Sequence, residues 1–210
     1  MQEVRIGNMK DSYIAVDFRA TVDKQFKSRA DELNAAFDNR LEQLRAENAD
    51  ASPEKMKHLE SQIMPGIAAY ETLQTVMPKQ EALNAVHGYV EKRAWKIRGM
   101  IDRIMRIPGV YRIVPGIAVK GTRKMFGSSA GFAANEIKTD GGVWRIDMTR
   151  CPYHDACEKY GCPELCPSFC DSDDVTYDNM HKQLEWRRTK TLGRGGDCCD
   201  FCLKLRNAKL

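Results

Sequence analysis

The chain has 210 residues, of which 42% are apolar and 30% are charged, and its net charge is +4. This composition is typical of a folded globular protein and excludes the disordered and fibrous classes. No run of about 18 apolar residues occurs, which argues against a membrane-spanning helix. Polar residues interrupt the first 20 positions, so no secretory signal is expected and the predicted location is cytoplasmic.

The first half of the chain is predicted to be helical. Residues 20–49 carry apolar side chains at steps of four and three, which predicts one long amphipathic helix. Ser52 is the expected N-cap of a second helical stretch, which Pro65 is expected to kink or split. A third stretch is predicted to begin at Pro78 and to end at Pro108.

Positive charge is concentrated in residues 90–126. This segment holds ten basic residues against two acidic ones, a local charge of +8. It predicts either an anionic partner, such as a membrane surface, a nucleic acid or an acidic substrate, or a solvated helix face. Nucleic acid is disfavoured because no stacking aromatic residues alternate with the charges in a known binding motif. An oligomer remains open.

The second half is predicted to form an antiparallel sheet. Four strands are expected, over residues 132–138, 143–148, 184–192 and 201–205. The first pair surrounds an Asp-Gly turn at 139–142. The cysteine-rich stretch 151–181 separates the two pairs, with short helices expected at 153–160 and 173–181.

This order of elements predicts an α+β fold, in which an N-terminal helical region precedes a small antiparallel sheet with a Cys-rich helical insert. A glycine- and serine-rich hinge follows the helices. We therefore expect a helical region over 1–127 and a Cys-rich catalytic or binding region over 128–210, either as two units or as one continuous domain.

All eight cysteines fall in the last 60 residues. In a cytoplasmic protein such a group is expected to serve metal binding, catalysis or redox chemistry rather than disulfides. Only Cys199 and Cys202 have the C-x2-C spacing of a zinc knuckle, without a matching second pair, and no group of cysteines matches an iron–sulfur pattern. A site for one zinc or iron would form if Cys151, Cys170 and Cys199 converge in space, and the further ligands would then be His154, Asp173 and Asp174.

A thiolate nucleophile or an acid–base pair is the second chemical interpretation. Cys170 precedes an acidic stretch that resembles a loop entering a helix, and a helix N-terminus lowers a thiol pKa. Asp173 or Asp174 would cap that helix or activate water. Asp200 lies at the start of the last strand, and Arg188 is a candidate for binding a substrate carboxylate.

The blocks Cys151-Pro152, 161–170, 188–192 and 199–201 occur in an order and spacing that resemble the L-2-amino-thiazoline-4-carboxylic acid hydrolase family. The resemblance covers residues 131–206. It implies that the functional site contains Cys151, Cys170, Asp173, Cys199 and Asp200.

The resemblance also implies a reaction on a small-molecule substrate. Water adds to C2 of a 2-aminothiazoline ring, the ring sulfur leaves as a thiolate, and the product is N-carbamoyl-cysteine. In this interpretation Asp173 is the base, with Asp174 as the alternate, and Arg188 anchors the ring carboxylate. Cys170 is a nucleophile or a metal ligand, and a bound zinc could supply the activated water instead.

Two other functions remain open at this point. One is a metal- or thiol-based binding or sensor module without catalysis, which would hold a metal or undergo reversible cysteine oxidation. The other is a different enzyme on the same fold, such as a lyase or a transferase. A substrate screen would separate the enzymatic alternatives.

Overall fold

A computed structural model describes residues 12–138 and 142–208. The helices are α1 (Tyr13–Gln25), α2 (Ala30–Ala46), α3 (Pro53–His58), α4 (Met64–Leu73), α5 (Lys79–Met105), α6 (Val114–Met125), α7 (Pro152–Lys159) and α8 (Cys166–Tyr177). The strands are β1 (Ala133–Lys138), β2 (Val143–Arg150), β3 (Leu184–Arg187) and β4 (Cys199–Leu205). Across these residues, no helix combines the length and the apolar character needed to cross a bilayer.

The four strands form one antiparallel sheet in the order β1-β2-β4-β3. Helices α7 and α8 lie in the chain between β2 and β3, so the predicted α+β fold with a Cys-rich helical insert is confirmed. The Asp-Gly turn expected between β1 and β2 falls largely on residues 139–141, which lie outside the described part of the chain.

The single helix predicted over residues 20–49 is wrong. The chain forms two helices, because α1 ends at Gln25 and a 3-10 turn precedes α2. The two helices pack on one another, with the rings of Phe18 and Phe37 stacked at 4.3 Å and Arg19 paired with Asp38 at 2.7 Å. The break contains neither glycine nor proline, and the apolar periodicity of the sequence continues through it.

Pro65 was expected to kink or split the second helical stretch, and the structure has a local change of helix type just before it. A π-helical turn over Leu59–Ile63 connects α3 to α4. Pro65 then lies in the first turn of α4. Because α3, the π-helical turn and α4 follow one another without a break, Pro65 lies inside a continuous helix, where its missing N–H removes one helical hydrogen bond. The π-helical turn lies directly before this position.

The predicted helix over residues 173–181 is also wrong, since α8 begins at Cys166 and ends at Tyr177. Proline opposes the interior of a helix, and this stretch contains Pro163 and Pro167. Pro163 opens a short 3-10 turn, and Pro167 lies in the first turn of α8, where its missing N–H costs nothing.

Strand β3 is shorter than the predicted strand over residues 184–192. Its ladder with β4 ends at Arg187. Beyond that point the backbone N–H groups of Thr189 and Lys190 donate to the carboxylate of Asp200, at 2.8 and 2.9 Å, rather than to the backbone of β4. The side chain of Asp200 therefore takes the place of the backbone ladder, and the segment after Arg187 leaves the sheet.

The buried side chains form two clusters. The first joins α1, α2, α4 and α5 to Ala156, Cys157, Leu165 and Phe169 of the insert. The second lies on the sheet beneath α6 and the end of α5. Tyr153 packs against both clusters, so the insert connects the helical region to the sheet.

Candidate active site

A cavity of about 480 Å³ lies between the sheet, α8 and the α5–α6 segment. Its volume falls within the range of about 300–1,000 Å³ that is usual for small-molecule sites. Most of its wall is apolar, and Met105, Val114 and Ala118 form part of it on the helical side. Its polar groups include most of the site residues predicted from the sequence, namely Cys151, Cys170, Asp173, Arg188 and Cys199.

Three elements position these polar groups. Cys170 and Asp173 lie three residues apart on α8, and this spacing places both side chains on one helix face. Cys151 directly follows β2 and Cys199 begins β4, which are neighbouring antiparallel strands. Arg188 directly follows β3. The ends of three strands and one helix face therefore meet at the cavity.

Arg188 is the central cation of the site. Its side chain is only 3% exposed, and its Nη1 lies 3.4 Å from Oδ2 of Asp173. Its Nη2 donates to the carbonyl oxygen of Cys170 at 3.0 Å and to the carboxylate of Asp174. A guanidinium carries five N–H groups, and the three contacts above use three of them. The Nε–H group and one Nη1–H group therefore have no partner within the described residues.

Asp173 has a carboxyl group whose pKa is raised from 3.8 to about 7. Burial is the main cause, the neighbouring Asp174 raises the pKa further, and Arg188 lowers it. The side chain keeps 39% of its surface accessible, but it lines the cavity rather than the outer surface of the molecule. Asp173 thus exchanges a proton near neutral pH.

The three cavity cysteines are held as neutral thiols. Burial raises the pKa of Cys151 to about 12 and also raises the pKa of Cys199. The pKa of Cys170 is raised by its hydrogen bond to Cys166 and by burial. The sulfur of Cys199 accepts a hydrogen bond from the backbone N–H of Leu192 at 3.3 Å.

The prediction that a helix N-terminus lowers the pKa of Cys170 is wrong. Cys170 lies in the second turn of α8, whereas Cys166 is the first residue of that helix. Hydrogen bonds from Cys157 and Cys170 lower the pKa of Cys166. Among these three thiols, Cys166 is therefore the one that carries negative charge most readily. The helix-cap role of Asp173 and Asp174 is also wrong, because both lie well inside α8.

Asp174 and Asp200 lie outside the cavity lining. Asp174 accepts a hydrogen bond from the indole nitrogen of Trp186 at 2.8 Å and pairs with Arg188. Asp200 is partly buried, but hydrogen bonds from Thr189 and Lys190 outweigh this and lower its pKa. Both carboxylates hold the segment after β3 in place.

Metal binding was expected to involve Cys151, Cys170 and Cys199. Although all three line the cavity, no group of three or more Cys, His, Asp or Glu residues in the described ranges has an arrangement that could hold a metal ion. This arrangement of donors therefore does not fit a zinc or iron centre.

Gly193 is a site residue that the sequence analysis missed. A Cβ atom there would lie 2.8 Å from the sulfur of Cys166 and 3.2 Å from that of Cys170, so only glycine lets the backbone approach both thiols. An ion pair between Arg194 and Asp171, at 2.7 Å, holds this segment against α8. The glycine-rich sequence 193–196 was its signal, since glycine marks close approach as well as phosphate binding.

Comparison with known proteins gives one match at the level of families. The model described as L-2-amino-thiazoline-4-carboxylic acid hydrolase matches residues 56–203, whereas no curated protein matches the chain. The match begins well before residue 131, where the resemblance in the sequence began, and it includes α4, α5 and α6. It also contains every polar residue of the cavity named above. The chain belongs to the L-2-amino-thiazoline-4-carboxylic acid hydrolase family.

Proposed function

We propose that the protein hydrolyses a small cyclic substrate at an amidine-like carbon, of the type that converts 2-aminothiazoline-4-carboxylate to N-carbamoyl-cysteine. Membership of the family supports a hydrolase. The observation that carries the proposal is the carboxyl group of Asp173, whose pKa of about 7 lets it take up and return a proton inside the cavity near neutral pH.

In the proposed reaction the ionised Asp173 removes a proton from a water molecule, and the water oxygen bonds to C2 of the ring. The electron pair of the C2=N bond moves to the ring nitrogen. The tetrahedral species collapses when the C2–S bond breaks and the sulfur leaves with the bonding electrons, and the proton that remains on the added oxygen passes to the ring nitrogen to give the carbamoyl group. The proton held by Asp173 then passes to this thiolate. The product contains all the atoms of the substrate and of one water molecule.

Arg188 is proposed to bind the ring carboxylate through the N–H groups that its contacts with Asp173, Asp174 and Cys170 leave over. Because the pKa of Cys170 is raised, its thiol is a poor nucleophile at neutral pH. We therefore assign the attack on C2 to water. Cys170 is assigned a role in contacting the substrate.

The proposal is tested by incubating the purified chain with 2-aminothiazoline-4-carboxylate and detecting N-carbamoyl-cysteine by mass spectrometry. We expect turnover by the wild type and a loss of about 10²-fold or more in Asp173→Asn. Asp178→Asn is the matched control, since Asp178 is exposed, directly follows α8 and lies outside the cavity lining, and it should retain activity. Absence of product, or full activity in Asp173→Asn, would overturn the proposal.

A thiol-based sensor is a second candidate, favoured by one observation. Cys157 interacts with both Cys162 and Cys166, and Cys166 interacts with Cys170, so four thiols form a continuous chain. Hydrogen peroxide would convert two neighbouring thiols to a disulfide and be reduced to two water molecules. Loss of two titratable thiols per chain, restored by a reductant, together with no turnover of thiazolines, would favour this function over hydrolysis.

A further inference from the structure

Exposed apolar side chains are concentrated on one surface. It comprises the second half of α5, the connection that follows and α6, and we call it the α5–α6 face. Its exposed large apolar residues are Met100, Ile104, Ile107, Ile113, Ile117 and Met125. Elsewhere in the described residues, the comparably exposed large apolar side chains are Val16 on α1 and Trp95, which lies nine residues before Ile104 and so on the opposite side of α5. Such a concentration marks an interaction surface.

The same face is strongly basic. Its exposed cations include Lys96, Arg103, Arg106, Arg112, Lys120 and Lys124. None of these six forms an ion pair with a carboxylate of the described residues. Of the two acids in this segment, Asp102 pairs with Arg98 at 2.7 Å, and Glu91 accepts a hydrogen bond from Trp95. The positive charge of the face is therefore not balanced within the described chain.

Not every cation of the segment belongs to this surface. The guanidinium of Arg98 donates to the backbone carbonyls of Asp178 and Asn179, just beyond the end of α8, and only 17% of its side chain is exposed. Arg98 thus joins α5 to α8. Lys92 pairs with Asp17 and Arg93 lies over the ring of Tyr13, so these two cations face α1. The six exposed cations named above belong to the α5–α6 face.

We propose that the α5–α6 face binds the surface of an anionic lipid bilayer. Isoleucine and methionine side chains would enter the boundary of the acyl region, while arginine and lysine side chains would contact anionic headgroups. A second copy of the chain would bring two positively charged faces together, which is unfavourable. A nucleic acid would satisfy the cations but would offer no apolar interior to the isoleucines.

The position of the cavity agrees with this orientation. Ile104, Ile117 and Met125 are about half exposed, and the same three residues line the cavity. The cavity therefore opens on the α5–α6 face. When the protein is bound to lipid, this opening faces the bilayer, so that molecules with an apolar part enter the cavity from the membrane surface.

The test is cosedimentation of the full chain with vesicles of phosphatidylcholine alone or of phosphatidylcholine mixed with phosphatidylserine. We expect binding to the mixed vesicles that weakens as salt is added. Ile107→Ser and Ile113→Ser, neither of which lines the cavity, should each weaken binding about tenfold. Val16→Ser removes an equally exposed apolar side chain from α1 and should have no effect.

Three results would overturn this proposal. The first is no sedimentation of the wild-type chain with the mixed vesicles. The second is equal weakening of binding by Val16→Ser and Ile107→Ser. The third is a dimer in the absence of lipid that Ile107→Ser dissociates, which would make the face a contact between two copies. Unchanged circular dichroism of the variants verifies that the substitutions leave the fold intact.

Discussion

The protonation of Asp173 depends on opposing influences that are visible only in three dimensions. Enclosure in the cavity and the charge of Asp174 favour the neutral acid, and Arg188 favours the carboxylate. Arg188 divides its hydrogen bonds among two carboxylates and a backbone carbonyl, and its Nη1 lies 3.4 Å from Asp173. The cation therefore offsets only part of the effect of burial.

This environment makes the stability of the protein depend on pH. The pKa of Asp173 is higher in the folded state than its ordinary value of 3.8, so the unfolded chain releases this proton first as pH rises. The contribution of Asp173 to the free energy of unfolding is therefore complete at low pH and falls until pH passes about 7. Asp173→Asn removes this dependence.

We expect the unfolding temperature of Asp173→Asn, measured relative to the wild type at the same pH, to rise between about pH 4 and about pH 8. Thermal unfolding followed by circular dichroism at several pH values measures this difference. Contributions of other titrating groups cancel in the comparison. A difference that stays constant with pH would contradict the raised pKa of Asp173.

Residue chemistry in the sequence identified five residues that line the cavity but could not predict their protonation states. Cys151, Cys170, Asp173, Arg188 and Cys199 all line it. Their pKa values depend on neighbours that are distant in the chain, such as Arg188 beside Asp173 and Cys199 beside Cys151. The roles of Asp174 and Asp200 could not be predicted either, because their partners, Trp186 and Thr189, are set by where β3 ends.

At the scale of elements, periodicity and turn residues predicted α5, the two strand pairs and the insert between them. They failed where no local signal exists, as at the break between α1 and α2, which contains neither glycine nor proline. They also failed where a signal has two meanings. Proline opposes the interior of a helix but suits its first turn, and Pro167 occupies the first turn of α8.

The packing of α4 on α8 depends on the absence of a side chain at Gly66. A Cβ atom at this position would lie 2.6 Å from Cζ of Phe169, which is too close for van der Waals contact. Phe169 is buried and also lines the cavity. Gly66 thus determines how closely α4 approaches α8. Through Phe169, it also determines the position of this part of the cavity wall.

We expect Gly66→Ala to lower the free energy of unfolding by about 1–3 kcal/mol, because the buried ring of Phe169 must move. Gly88→Ala is the matched control, since Gly88 is also helical but a Cβ there meets nothing within 4 Å. That variant should be more stable by about 0.5–1 kcal/mol. Urea unfolding measures both, and equal effects in the two variants would show that the α4–α8 contact is looser than described.

At the scale of the whole molecule, the first buried cluster crosses the expected boundary near residue 127. It contains side chains of the N-terminal helices together with Cys157, Leu165 and Phe169 of the insert. His58 adds a polar contact between distant segments, since its ring nitrogens lie 3.3 Å from the hydroxyl of Tyr153 and 3.0 Å from the carbonyl of Met125. Side chains of the insert therefore cover part of the helical cluster.

We therefore expect the chain to unfold as one cooperative unit. Differential scanning calorimetry should give a single transition whose calorimetric and van't Hoff enthalpies agree. A fragment of residues 1–127 should lack a cooperative transition, because it would expose the side of the first cluster that the insert covers. Two resolved transitions in the full chain would instead support a separate helical domain.

The most direct test of the central claim is the pH dependence of kcat/KM for hydrolysis of 2-aminothiazoline-4-carboxylate. A base must be ionised to accept a proton, so we expect kcat/KM to rise about tenfold per pH unit below the pKa of Asp173 and to level off above about pH 7. Asp173→Asn should abolish this rise and the activity with it. A wild-type profile without a step near pH 7, or the same profile in Asp173→Asn, would contradict the assignment of Asp173 as the base.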